Sequence, residues 1–143
     1  MITQLPDDFR FSGPSMELCT LTVRVADLAD RFRFTLVHWG DQLGPATAML
    51  VKLESGRDAA LTEFRYAIER HGMKGPVVEV EAQDVAAVGV AALVDDVLGA
   101  LRLSREDTDW IAPAENKARA LDLLHWWAQT SWDDMHPRSE QRE

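Results

Sequence analysis

The stretch VAAVGVAALVDDVLGALRL, residues 85–103, cannot be left in water, and whatever this chain folds into has to cover it. On a helical wheel Val90, Leu93, Val94, Val97, Leu98 and Leu101 share one broad side, with Asp95, Asp96, Gly99 and Arg102 on the other. The spacing predicts a helix over 85–102, capped by Asp84, that serves as the central core element.

What covers it is written upstream with a different period. From Met16, residues Cys19, Leu21, Val23 and Val25 alternate with Thr20, Thr22 and Arg24, as a half-buried strand requires. ADLADR reads as a loop or a single helical turn. RFRFTLVHW then alternates again, with Phe32, Phe34 and Leu36 opposed to Arg33 and Thr35. After the break at GDQLGP, residues 46–53 read as a third strand, although Pro45 and the Ala, Met and Leu content also suit a helix. The simplest arrangement of 16–53 is a three-stranded antiparallel meander.

In RDAALTEFRYAIERHG, Ala60, Leu61, Phe64, Ala67, Ile68 and His71 fall on one helical face, and Gly72 stops it. Val78 and Val80 opposed to Glu79 and Glu81 give a short strand before the buried helix. A polar connection, SREDTDWIAP, leads to a last helix from about Pro113 to about Trp132. The expected order is βββαβαα. The fold class is α+β, a mainly antiparallel sheet of about four strands with about three helices packed on one face. Residues 1–15 read as an irregular arm, 16–135 as a single domain and 136–143 as a disordered tail.

Composition narrows the function classes. The 143 residues carry a formal charge of −9, which repels phosphate backbones and anionic lipid and favours basic partners. Cys19 is the only cysteine, so no intramolecular disulfide or multi-cysteine zinc site can form. There is no signal peptide pattern and no apolar run of membrane-spanning length, and the expected location is cytoplasmic, with no membrane partner. Arginine outnumbering lysine, with abundant alanine and valine, points to a GC-rich bacterial coding sequence.

The most informative surface feature is LDLLHWWAQTSWDDM, residues 121–135. Leu121, Leu124, Trp127 and Ala128 form an inward helical face, whereas Trp126 falls with Asp122 on the polar side. An indole among carboxylates is typical of an interface anchor within a charged rim. Trp126, Asp122, Asp133, Asp134, Asp95, Asp96 and Tyr66 are therefore candidate partner-binding residues for a basic protein. Trp126 and Tyr66 also allow a homodimer seam. The competing reading for Trp126 is packing beneath the chain termini, and for each acidic cluster it is solubility.

A second class of function is a small-molecule site or small enzyme between sheet and helices. Phe34, Trp39, Met49 and Trp110 would line it, with His38 and Asp41 as an imidazole and carboxylate pair. No catalytic residue, metal ligand set or cofactor motif is specified. His125, Asp133, Asp134 and His136 match no ligand spacing, and Gly72-Met-Lys-Gly75 lacks the lysine and hydroxyl of a phosphate loop. The expectation is a stoichiometric binding protein, namely an inhibitor, immunity-like factor or adaptor, rather than an enzyme.

Overall fold

The computed structural model describes residues 1–41, 44–64 and 78–112, with the backbone alone at 39–41 and 44. The elements are β1 (Thr3–Gln4), β2 (Ser15–Leu21), α1 (Val25–Phe32), β3 (Val37–Asp41), β4 (Gly44–Lys52), β5 (Asp58–Phe64), β6 (Val78–Gln83), α2 (Val85–Val88), α3 (Val90–Leu101), a 3₁₀ turn (Arg105–Asp107) and β7 (Thr108–Ile111). The strands form one sheet in the order β1-β4-β5-β6-β2-β7, with β3 also on β4, and every pairing is antiparallel. The protein is α+β, as the sequence implies.

The core lies between the sheet and the helices. Met49 and Val51 of β4, Ala59 and Leu61 of β5, Val78, Val80 and Ala82 of β6, and Cys19 and Leu21 of β2 face one way and cluster with helical side chains. Val90, Leu93, Val94, Val97, Leu98 and Leu101 of α3 are all buried there, the same six residues that the wheel selects. The helix expected over 85–102 is interrupted at Gly89, whose φ of 93° and ψ of 154° lie in a region nearly closed to other residues, so α2 and α3 are separate segments.

Several stretches differ from expectation. The sheet has seven strands rather than about four, because β5 stands where a helix is expected and β1 and β7 are short edge pairings formed by stretches that read as an arm and a polar connection. Residues 58–64, read as the start of a helix, are strand β5. Leu61 and Phe64 satisfy a helical spacing, but Ala59 and Leu61 also alternate with Ala60 and Thr62, and pairing on both edges with β4 and β6 decides the outcome. The rest of that stretch, 65–72, lies outside the described residues, as do the final helix expected over 113–132 and the tail. The strand expected over 31–39 begins only at Val37, because Val25, Leu28, Ala29 and Phe32 have the helical spacing of a two-turn helix, α1. The expected meander of 16–53 is thus replaced by β3-β4-β5-β6, with β2 added beyond β6.

Helix α1 has no capping side chain of its own. Glu63, at the end of β5, supplies the cap from across the fold: it accepts the Val25 N–H at 3.3 Å and takes the Arg24 guanidinium in two bonds of 3.0 and 2.9 Å. Glu63→Ala is expected to lower stability by about 1–2 kcal/mol through the lost cap. Arg24→Ala should cost less, about 0–1 kcal/mol, because its side chain is largely solvated. Urea unfolding of both variants checks this; equal losses would place the effect in the ion pair and not in the cap.

Candidate functional site

Strand periodicity sends the alternate residues of each strand to the sheet's other face. On β6 these are Glu79, Glu81 and Gln83, since Val78, Val80 and Ala82 are in the core. Across the sheet, one row runs Ala48, Thr62, Glu79, Thr20, Trp110, and the next runs Leu50, Ala60, Glu81, Glu17. The face is consequently divided. Its β4–β5 half carries no charge in these two rows, with Ala46, Ala48 and Ala60 buried, and its β6–β2–β7 half carries carboxylates beside an indole.

Glu17 reaches this face because of a β-bulge. Residues 17, 19 and 21 would point the same way in a regular strand, which would put Glu17 in the core beside Cys19. Instead Glu17 pairs with Glu81 and Cys19 with Val80, so that two steps on β2 match one on β6. The extra residue, Leu18, is buried, and its carbonyl accepts the Ala112 N–H at 2.8 Å. The bulge thereby turns Glu17 outward and sets it directly opposite Glu81.

Electrostatics at this spot are unfavourable to the carboxylates. Partial burial, then the charges of Glu79 and Glu81, push Glu17 up from 4.5 to about 7. Glu81 accepts a hydrogen bond from the Ser15 hydroxyl at 2.9 Å, whereas no hydrogen bond or ion pair reaches Glu17 among the described residues. Next to them Thr20, only 6% exposed, has a hydroxyl oxygen without a hydrogen-bond partner among the described residues. Trp110, its cross-strand neighbour on β7, is 41% exposed. Directly behind the carboxylates, burial and the Glu17 charge raise the Cys19 thiol to about 11, so it behaves as a buried apolar residue rather than a nucleophile.

The residues singled out by sequence fall in several places. Trp126, Asp122, Asp133, Asp134 and Tyr66 lie outside the described residues. Asp95 and Asp96 are on α3, in the helical layer, where Asp95 meets Arg105 at 2.9 Å and Asp96 meets Arg57 at 3.2 Å and the Ser55 hydroxyl at 2.6 Å. Met49 is fully buried in the core. Phe34 lines a groove of about 710 Å³ at the C-terminal ends of α1 and α3, while Trp110 sits on the far side of the sheet. His38 is exposed on β3 with its Nδ1 3.3 Å from the Thr47 hydroxyl. The side chains of Trp39 and Asp41 are outside what the structure describes. Phe34, Met49 and Trp110 are therefore not brought into one pocket.

Glu17, Glu79 and Glu81 were the residues missed as a group. The alternation of β6 marks Glu79 and Glu81 as outward-facing, but nothing in MELCT signals a bulge, so Glu17 could not be added to them by counting. No cluster of His, Cys, Asp or Glu among the described residues is suited to hold a metal ion, and no described helix is long and apolar enough to cross a membrane.

The raised Glu17 group has a definite sign in stability. The folded protein retains a proton that the unfolded chain releases between pH 4.5 and about 7, so stability falls as pH rises through that window and stays lowered above it. Glu17→Gln should therefore be more stable than the parent at pH 8, by on the order of 1 kcal/mol after solvent screening, and indistinguishable from it near pH 4. Chemical denaturation at the two pH values measures the difference; a Glu17→Gln variant less stable at pH 8 would contradict the crowding.

Comparison with known protein families, curated proteins and solved structures finds no match to this chain.

Proposed function

We propose that the protein is a stoichiometric binding module for a basic protein, acting as an inhibitor, immunity-like factor or adaptor, and that Glu17, Glu81 and Trp110 form part of its binding surface. The observation that carries this reading is Glu17 itself: a half-buried carboxylate turned outward by a bulge, set opposite a second carboxylate, and without a cation partner among the described residues. A lysine or arginine side chain entering here would relieve the repulsion between Glu17, Glu79 and Glu81. Trp110 offers its ring to the same cation on the adjacent strand, where stacking of a guanidinium favours arginine over lysine. The Thr20 hydroxyl, without a partner among the described residues, lies between Glu79 and the indole and can accept one of the incoming N–H groups.

The overall charge of −9 supports the same reading at longer range, since it accelerates encounter with a basic surface. The proposed surface extends to Trp126 with Asp122, Asp133 and Asp134, in the part of the chain outside the described residues. A cytoplasmic location goes with this proposal and is supported by a single, buried, unpaired cysteine.

A fluorescent nona-arginine peptide is a suitable first probe. Trp110→Ala should weaken its binding by about 2 kcal/mol, and Glu17→Gln by about tenfold. Affinity for the parent protein should rise between pH 6 and pH 8 as Glu17 ionises, and this rise should be absent from Glu17→Gln. Anisotropy titrations at two salt concentrations measure all three effects. Binding that is insensitive to both substitutions would remove this face from the interface; Trp126→Ala then tests the remaining part of the surface.

A further inference from the structure

Helices α1 and α3 end at the same groove, and both stop on an arginine held in a backbone conformation that favours glycine. Arg33 has φ 57° and Arg102 has φ 59°. Each stop is closed by a bond from the following residue, Phe34 N–H to the Ala29 carbonyl at 2.9 Å and Leu103 N–H to the Leu98 carbonyl at 2.8 Å. Glycine is the residue that enters this region without a steric cost, and it is the common choice at such a stop. Arginine at both positions makes each stop less stable and delivers a guanidinium to the groove from each helix.

The groove, about 710 Å³, also contains Phe32 and Phe34, stacked with ring centroids 5.8 Å apart and planes inclined by 28°. The Arg102 guanidinium lies 6.0 Å over the Phe32 ring. A third arginine, Arg31, donates to the Leu101 carbonyl at 3.1 Å and so offsets the negative end of α3 that would oppose an anion here. Three carboxylates share the walls, and each is already occupied: Glu54 by the Met1 amine at 2.9 Å, Asp95 by Arg105, and Asp96 by Arg57 and Ser55. No carboxylate among the described residues lies within ion-pair distance of Arg31, Arg33 or Arg102. The chain's negative field works against an anion at a distance, but it is screened beyond about 8 Å at physiological salt, inside which the three guanidinia dominate.

We infer that this groove is a binding site for a small organic anion with a flat apolar body, an aromatic carboxylate. Arg33 and Arg102 hold the carboxylate, where paired N–H donors match its two oxygens, and the Phe32–Phe34 stack receives the ring. The site is in the helical layer, on the opposite side of the sheet from Glu17 and Trp110, and does not depend on the basic-partner reading.

The test is a calorimetric titration of the full chain with 2-naphthoate, alongside 2-naphthalenemethanol and acetate as probes lacking the charge or the ring. Naphthoate should bind with a dissociation constant in the millimolar range or tighter, and each control about tenfold more weakly or worse. Arg33→Gly combined with Arg102→Gly should melt at or above the parent temperature, because the backbone strain is relieved, yet lose at least about tenfold in naphthoate affinity. If that pair melts lower, Arg33→Gln with Arg102→Gln repeats the affinity measurement. Absence of naphthoate binding up to about 10 mM, equal binding of the neutral alcohol, or unchanged affinity in the double variants would overturn the inference. Nona-arginine binding should be unaffected by these substitutions, so the two sites fail separately.

Discussion

Strand β6 must keep Val78, Val80 and Ala82 against the helices, and the rest of the sheet is arranged around that requirement. Side-chain direction has a period of two along a strand, so a slip of one residue would bring Glu79 and Glu81 into the core and turn the valines to the other face. The same requirement fixes both neighbours. On one side β5 has to present Leu61 inward opposite Val80, and on the other β2 has to present Cys19. The outward carboxylates are the necessary reverse of this inward row.

That dependence accounts for what could be seen in the sequence. The alternation of 78–81 and the six-residue apolar side of 90–101 have one consistent reading each, and both are realised. Residues 58–64 admit two, because Leu61 and Phe64 fit either period; the choice depends on strands β4 and β6 closing on both edges, which no local pattern contains. Helix α1 was hidden by the reverse ambiguity, its Val25 and Phe32 being shared with neighbouring alternations.

The site was less legible than the fold for a related reason. Glu17 shares its parity with Cys19 and Leu21, so regular counting assigns it to the buried side, and only the unmatched Leu18 reverses it. Asp95 and Asp96 show the opposite case: adjacent acids on a helix's polar side suggest an external partner, but Arg105, Arg57 and Ser55 of the same chain occupy them. Charge in a sequence identifies the sign of a surface. Which charges are left over is decided by contacts between residues distant along the chain.

Strand β4 spans nine residues, and its outer edge is shared by two short strands, β3 along Gly44–Ala48 and β1 at Val51–Lys52. The Gln4 side chain ties these two partners together by bonding both backbone groups of Thr35, just ahead of β3, at 3.1 and 2.9 Å. Left bare, a nine-residue run containing Ala46, Ala48, Met49, Leu50 and Val51 would be a template on which a second chain could add a strand and begin to aggregate. Distributed between two short partners, with the Leu5 N–H also donating to the Leu50 carbonyl, the same edge offers an incoming chain too few consecutive free N–H and C=O groups to start from. The N-terminal residues thus shield part of an edge that could otherwise template association, as well as extending the sheet.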